Sequence, residues 1–219
     1  MRAFARNNAI TLVIGLMFIV ALGGQTLTGW SVYNEDQQEH GEQPVGLGTY
    51  LGTGHFGEAV SENFESEFLQ MGVFVLLTVF LRQKGSSESK KIDGEEEVDR
   101  EPDPSRPGAP WPVRVGGPAL AVYRYSLTIA LFVLFGLSFA MHVVAGSAEY
   151  SAEQQVHGGQ AVSALGYLAT PQMWFESFQN WQSEFMSIVA LTVLSIFLRQ
   201  HGSPESKPVD APHGETGSG

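Results

Sequence analysis

The chain has 219 residues, of which 43% are hydrophobic, with a formal net charge of −11 and no cysteine. The missing cysteine excludes disulfides, thiol redox chemistry and cysteine metal ligands. The acidic balance and the lack of a dense basic patch argue against nucleic acid as a partner.

The first predicted element is an apolar helix long enough to cross a membrane. Positions 9–29 contain no charged residue, and a second run of this kind covers 126–146. A bilayer core of ~30 Å needs about 20 helical residues, since each adds about 1.5 Å. We therefore predict an integral membrane protein whose first partner is the lipid bilayer.

Two shorter apolar runs lie at 68–81 and 185–198. Each run gives only about 21 Å of helix, so a spanning helix must also include the polar residues that precede it. With this extension the sequence predicts four transmembrane helices. They cover about 8–30, 60–83, 119–147 and 171–200.

The basic residues lie on one side of this four-segment pattern, because the loops at roughly 30–66 and 147–183 contain no Lys or Arg. Basic residues near the ends of spans stay in the cytoplasm during insertion. This asymmetry predicts a multi-pass protein of the cell membrane with both termini cytoplasmic. The basic residues are Arg2, Arg6, Arg82, Lys84, Lys90, Lys91, Arg100, Arg106, Arg114, Arg124, Arg199 and Lys207.

The chain matches itself without gaps when it is shifted by 117 residues, so that 8–90 lies over 125–207. About a third of the aligned positions are identical. The pattern YxxxQQxHG begins at Tyr33 and Tyr150, and NxxSEF begins at Asn63 and Asn180. A gapless match of this length indicates a duplication. The internal copy of the first apolar run also argues against a cleaved signal peptide, which Arg2 and Arg6 would otherwise fit.

Two spans per copy require both copies to insert in the same orientation, which is a parallel repeat. We predict an all-α membrane protein with its four transmembrane helices in two hairpins, related by a pseudo-two-fold axis as in a four-helix bundle. The predicted first repeat covers 1–83 and the second 118–201. The segments 84–117 and 202–219 are poor in apolar residues and are predicted to be a disordered cytoplasmic linker and a disordered tail.

A polar cluster is the first candidate site. Counting residues from the cytoplasmic arginines places several polar side chains at a similar depth in the outer half of the membrane, and ionisable groups at such depths are often functional. A ligand, ion or proton site and a purely structural role in capping helices both remain open. The candidates are Glu67, Glu184, Asn63, Asn180, Gln25 and His142.

The duplicated QQxHG element is the second candidate, either as a metal site or as a loop structure. His40 and His157, with Glu67 and Glu184, would give a ligand set that suits a divalent metal such as zinc. The alternative is a glutamine-rich helix end stopped by glycine, with the loop backbone bound by side chains. The glutamines concerned are Gln37, Gln38, Gln154 and Gln155.

No enzyme signature is present: the chain has no GxSxG, no P-loop, no HExxH and no dinucleotide-binding glycine pattern. We predict no catalytic residue and no cofactor, and no oligomeric state follows from the sequence. The favoured function is a structural or interaction role through the duplicated outer loops, with a possible protein partner there. The alternatives are a small transporter or channel that uses the outer-leaflet carboxylates, and a metal-binding protein or membrane enzyme acting at the outer face.

Each copy ends in the same motif, FLRQKGSSESK at 80–90 and FLRQHGSPESK at 197–207. With YxxxQQxHG and NxxSEF, this motif makes the chain resemble the domain of unknown function 6766 family, an uncharacterised family of bacterial membrane proteins. The resemblance covers nearly the whole chain except the linker and tail. It implies tandem two-span hairpins and a bacterial inner-membrane location, and it implies no activity and no catalytic residue.

Overall fold

The computed structural model describes residues 2–94 and 96–217, and this described part is helical without strands. Four helices are long, and the others are short pieces that precede or connect them. The helices are α1 (Arg2–Asn7), α2 (Ala9–Glu39), α3 (Leu47–Tyr50), α4 (Gly54–Phe80), α5 (Trp111–Val115), α6 (Gly117–Arg124), α7 (Ser126–Val156), α8 (Ala164–Leu168) and α9 (Pro171–Phe197), with a 3₁₀ turn at Glu97–Asp99.

The long helices come in pairs of equal length. Helices α2 and α7 have 31 residues each, and α4 and α9 have 27 residues each. Both members of each pair begin and end 117 positions apart. Helices α4 and α9 begin with the same cap. The hydroxyls of Thr53 and Thr170 accept hydrogen bonds from the backbone N–H groups of Phe56 and Met173 at 3.3 and 3.4 Å. Such N-capping satisfies donors that the first helical turn leaves free.

The chain forms two compact units, and each contains segments of both copies. Unit 1 consists of Met1–Ser61 and Ala140–Trp174, and unit 2 consists of Glu62–Phe139 and Phe175–Gly219. The boundaries between the units fall inside long helices. They therefore differ from the boundaries of the predicted repeats, which fall in the segment 84–117.

Helices α2 and α7 are, within the described part of the chain, the two that are long and apolar enough to cross a membrane. No residue of α2 is buried, and in the first half of this helix apolar side chains are exposed around the whole circumference, with Ile10, Ile19 and Val20 as examples. A helix that is apolar on every side requires an apolar environment on every side. The fold therefore contains helices suited to lipid.

The segments that follow α4 and α9 form turns with specific contacts. In the first copy Lys90 pairs with Asp99. In the second copy the buried ammonium of Lys207 donates to the carbonyls of Pro212, His213 and Glu215 at 3.2, 3.0 and 2.8 Å. A buried ammonium requires such acceptors, because its desolvation is costly. The disorder of 84–117 and 202–219 stays a prediction from composition.

Candidate functional site

The QQxHG elements end helices α2 and α7 in the same way. The N–H of Gly41 donates to the carbonyl of Gln38 at 3.1 Å, and the N–H of Glu42 donates to the carbonyl of Gln37 at 2.7 Å. This pair of bonds is the Schellman motif, which needs a left-handed residue, and Gly41 has φ +80°. In the second copy Gly158 and Gly159 donate to Gln155 and Gln154 at 3.0 and 2.7 Å. The glutamine carbonyls therefore have a structural role in both copies.

The histidines of these elements lie beside each other in unit 1. The ring centroids of His40 and His157 are 6.5 Å apart, with an interplanar angle of 72°. Each Nδ1 lies 2.9 Å from the carbonyl oxygen four residues earlier, on Asp36 and Glu153 respectively. The ends of the two copies thus present two imidazoles side by side.

The loops that follow α2 and α7 fold back on these helices. In the first copy the Trp30 indole N–H donates to the carbonyl of Val45 at 2.7 Å, and the Asn34 amide bonds both the N–H and the carbonyl of Val45. In the second copy the Ser151 hydroxyl makes the corresponding pair of bonds with Val162. Because these loops bond their own helices, each loop is a folded part of unit 1.

Two buried tyrosines fix the loops more firmly. Tyr50 is 2% exposed and lies against Gly29, and Tyr167 is fully buried against Gly146. A Cβ at Gly146 would lie 2.7 Å from the Tyr167 ring and 2.8 Å from Oε1 of Glu58. Glycine is therefore required where each tyrosine crosses its helix. We call these two arrangements the tyrosine locks.

A second tyrosine supports each lock. The ring centroids of Tyr33 and Tyr50 are 5.6 Å apart, and those of Tyr150 and Tyr167 are 5.7 Å apart. These distances fall within the range of favourable aromatic pairs. The tyrosine locks therefore have the same ring packing in both copies.

The hydroxyl of Tyr167 reaches a charged group from the other copy. It donates to Oε1 of Glu58 at 3.1 Å. A carboxylate oxygen of Glu58 also lies within 4.8 Å of a ring nitrogen of His142, which is fully buried. A phenol, a carboxyl and an imidazole thus meet inside unit 1. Such a set can hold a proton or contribute ligands to a cation.

In the tyrosine lock of Tyr50, the tyrosine hydroxyl contacts His55. The hydroxyl of Tyr50 lies 3.2 Å from Nδ1 of His55, and the carboxylate of Glu149 accepts the backbone N–H of His55. Burial lowers the pKa of His55, partly opposed by the charge of Asp36. Burial raises the pKa of the Tyr50 phenol, and the charge of Glu149 adds to this effect. The carboxylate of Glu149 thus caps the start of α4.

Helix α4 approaches α7 closely through its first two glycines. A Cβ at Gly54 would lie 2.7 Å from the backbone nitrogen of Glu149 and 2.8 Å from the carbonyl oxygen of Ala145. A Cβ at Gly57 would lie 2.9 Å from the Ala145 side chain. Small residues allow this backbone approach, as they do between membrane helices. The crossing places Glu58 beside His142 and Tyr167.

The polar residues predicted to form one cluster lie in two groups. Gln25 and His142 lie in unit 1, where the Gln25 amide donates to the carbonyl of Ala59 at 3.2 Å. The other four lie in unit 2. There the carboxyls of Glu67 and Glu184 interact electrostatically, the Asn180 amide donates to the carbonyl of Glu176 at 3.2 Å, and the carbonyl of Asn63 accepts the Ser66 hydroxyl at 2.8 Å. A single cluster of all six stays a prediction.

Unit 2 contains one acidic residue that is fully buried in the described part, Glu65. Its Oε1 accepts the indole N–H of Trp181 at 3.0 Å. Gln70 also joins the helices, because its amide donates to the carbonyl of Glu184 at 3.4 Å. Unit 2 is therefore held partly by polar contacts between its helices.

The family model for Domain of unknown function (DUF6766) matches residues 1–218. The chain belongs to this family. Comparisons with curated proteins and with solved structures find no match. The match therefore includes the segments 84–117 and 202–218 of this DUF6766 chain.

Among the residues that meet at the tyrosine locks, His142 is a predicted site residue of this DUF6766 chain, whereas Glu58, His55 and Glu149 are not. The self-match of the chain could have indicated the glycines and tyrosines of the locks, because these residues are identical at equivalent positions. The identical pairs are Gly29 and Gly146, Tyr33 and Tyr150, and Tyr50 and Tyr167. The repeat carries no such signal for Glu58, His55 or Glu149, whose equivalents are Phe175, Gln172 and Val32.

Proposed function

We propose that this DUF6766 chain is a multi-pass integral membrane protein with a structural or interaction role. The observation that carries the proposal is the reversed burial of the described helices. Glu65, Ser66, Ser138 and Ser195 are buried in unit 2, whereas most of its leucines, such as Leu137, are exposed and Leu131 is buried. A water-soluble protein buries its leucines and exposes its acids. Lipid around the helices makes the reversed arrangement favourable.

The proposal extends to four spans. Helices α4 and α9 have 27 residues each, which gives about 40 Å against a core of ~30 Å. Exposed apolar residues such as Met71, Val79, Val189 and Val193 lie along them. With α2 and α7, they form the two same-sense hairpins and the pseudo-two-fold arrangement that the repeat predicts.

Contacts at the ends of α4 and α9 support the proposed orientation. Arg82 Nη1 donates to the carbonyls of Val79 and Leu81, both at 3.1 Å. Arg199 Nη1 makes the equivalent bonds to Ile196 and Leu198 at 3.2 and 2.7 Å. Cations stabilise the C-terminal end of a helix, where carbonyls are free. The arginines thus mark the ends of α4 and α9, and in our proposal the retention of basic residues in the cytoplasm places these ends and both termini on that side.

The interaction role rests on the folded loops of unit 1. The tyrosine locks and the bonds to Val45 and Val162 hold these loops in one conformation. Leu51 and Leu165 nevertheless remain exposed, at 47% and 79%. A preorganised surface with exposed apolar side chains loses little entropy on binding. The proposed partner is a protein that covers these leucines at the outer face of a bacterial inner membrane.

The chain's lack of cysteine allows a direct topology test. We expect Glu42→Cys and Ala161→Cys to react with a membrane-impermeant maleimide in intact spheroplasts. Ser105→Cys should react only after permeabilisation, because 84–117 lies in the cytoplasm in our proposal. Labelling after denaturation is the control for expression of each variant. Labelling of Ser105→Cys in intact cells, or protection of either loop cysteine, would contradict the proposed topology.

Photo-crosslinking tests the interaction role. A photoreactive residue at position 165 should yield one discrete protein adduct in native membranes, since Leu165 is exposed on the folded loop. The matched control is the same residue at position 19, where exposed Ile19 should face lipid and give no discrete protein adduct. Equal adduct patterns at positions 165 and 19 would remove the interaction role and leave the topology untouched.

A further inference from the structure

We propose that His40 and His157 form a binding site for a divalent transition-metal ion of the kind that imidazole prefers, with Zn²⁺ as the test ion. The proposal is independent of the proposed interaction role. It rests on the placement of the two rings, on their tautomer and on the charge around them.

The rings are nearly close enough to share an ion. With metal–nitrogen bonds of about 2.0–2.1 Å, two imidazoles on one ion have ring centroids roughly 5–6.4 Å apart, depending on the angle at the metal. The centroids of His40 and His157 are 6.5 Å apart. Both residues are accessible to solvent, since the side chain of His40 is 37% exposed and His157 lies at the surface. The observed centroid distance is therefore just above the upper end of the range for two imidazoles on one ion.

The tautomer is the one that a metal requires. Each Nδ1 lies 2.9 Å from a backbone carbonyl oxygen, on Asp36 or Glu153. A carbonyl only accepts a hydrogen bond, so each Nδ1 carries the proton. The lone pair of each Nε2 is then directed away from the backbone and can bind a metal. Metal-binding histidines generally have a second nitrogen held in this manner.

The electrostatic surroundings favour a cation. The loops at roughly 30–66 and 147–183 contain no Lys or Arg. Oδ1 of Asp36 lies 3.4 Å from Nδ1 of His40. Each histidine also follows the last residue of a 31-residue helix, where the helix dipole is negative. Water completes the coordination in this proposal, so the ion keeps open positions.

The test is calorimetric titration of Zn²⁺ alone into the full chain in detergent, after removal of metal by a chelator. We expect one Zn²⁺ per chain in the wild type, and loss of that binding in the variant with both His40→Ala and His157→Ala. The matched control is His201→Ala, which removes an exposed histidine of unit 2 and should bind zinc like the wild type.

Two further measurements keep the proposal falsifiable. Far-ultraviolet circular dichroism should show unchanged helicity in the double variant, so that lost binding is not lost folding. Zn²⁺ should raise the melting temperature of the wild type and of His201→Ala, but not that of the double variant. Equal zinc binding by the wild type and the double variant would overturn the site. Half a Zn²⁺ per chain would mean that two chains share one ion, and it would overturn a site formed by His40 and His157 of the same chain.

Discussion

Replacement of Gly54 by alanine is expected to destabilise the protein by about 3 kcal/mol, because overpacking a tight contact costs about 1–3 kcal/mol and occasionally more. The new Cβ would lie 2.7 Å from the Glu149 nitrogen, 2.8 Å from the Ala145 oxygen and 3.2 Å from the Ala148 carbonyl carbon. All three are backbone atoms, which no side-chain rotation can move away. The helices must separate, and Glu149 then loses its bond to the backbone of His55. Denaturant unfolding in detergent micelles, followed by circular dichroism, measures the loss.

Gly23→Ala is the matched control for this effect. Gly23 lies inside α2 in the same unit, and no atom lies within 4 Å of a Cβ built there. Alanine should stabilise that position by about 0.5–1 kcal/mol through helix propensity alone. If Gly54→Ala were as stable as Gly23→Ala, the close crossing of α4 and α7 would be wrong.

Replacement of Tyr167 by alanine is expected to cost about 3–5 kcal/mol, the usual range for removing a buried aromatic side chain. The side chain is fully buried, contacts Gly146 and bonds Glu58, so its loss leaves a cavity and breaks a hydrogen bond. Tyr167→Phe keeps the ring and removes only the hydroxyl, which should cost about 1–2 kcal/mol. The same unfolding measurement separates these two contributions.

Leu165→Ala provides the comparison within the same short helix. Leu165 is 79% exposed, and exposed substitutions typically change stability by less than about 0.5 kcal/mol. This variant should unfold like the wild type. A stability loss in Tyr167→Ala no larger than in Leu165→Ala would show that α8 is not locked to α7.

Much of the helical framework follows from simple sequence signals. The charge-free run at 9–29 and its copy at 126–146 indicate α2 and α7, and the predicted span at about 171–200 begins where α9 begins. The glutamine-rich helix end stopped by glycine was the structural alternative for QQxHG. The glycine after each helix end forms the observed Schellman motif through backbone groups, since helix capping is local chemistry, and binding of the loop backbone by the glutamine side chains stays a prediction.

The candidate site was harder to predict because its contacts join distant positions. Counting residues gives the depth of Gln25 or His142 along its own helix, but not which helix lies beside it. His142 meets Glu58 only because Gly54 and Gly57 let α4 approach α7. Neither glycine has a glycine at the equivalent position, where Pro171 and Trp174 stand. The repeat therefore carries no information about this crossing.

The contacts between Tyr167 and Glu58, and between Glu149 and His55, each join one copy to the other. Phe175 and Val32 occupy the positions equivalent to Glu58 and Glu149, so neither copy can supply both sides of either contact. A tandem of two first halves lacks Glu149, and a tandem of two second halves lacks Glu58. Each of these two contacts therefore requires one residue from the first half of the chain and one from the second.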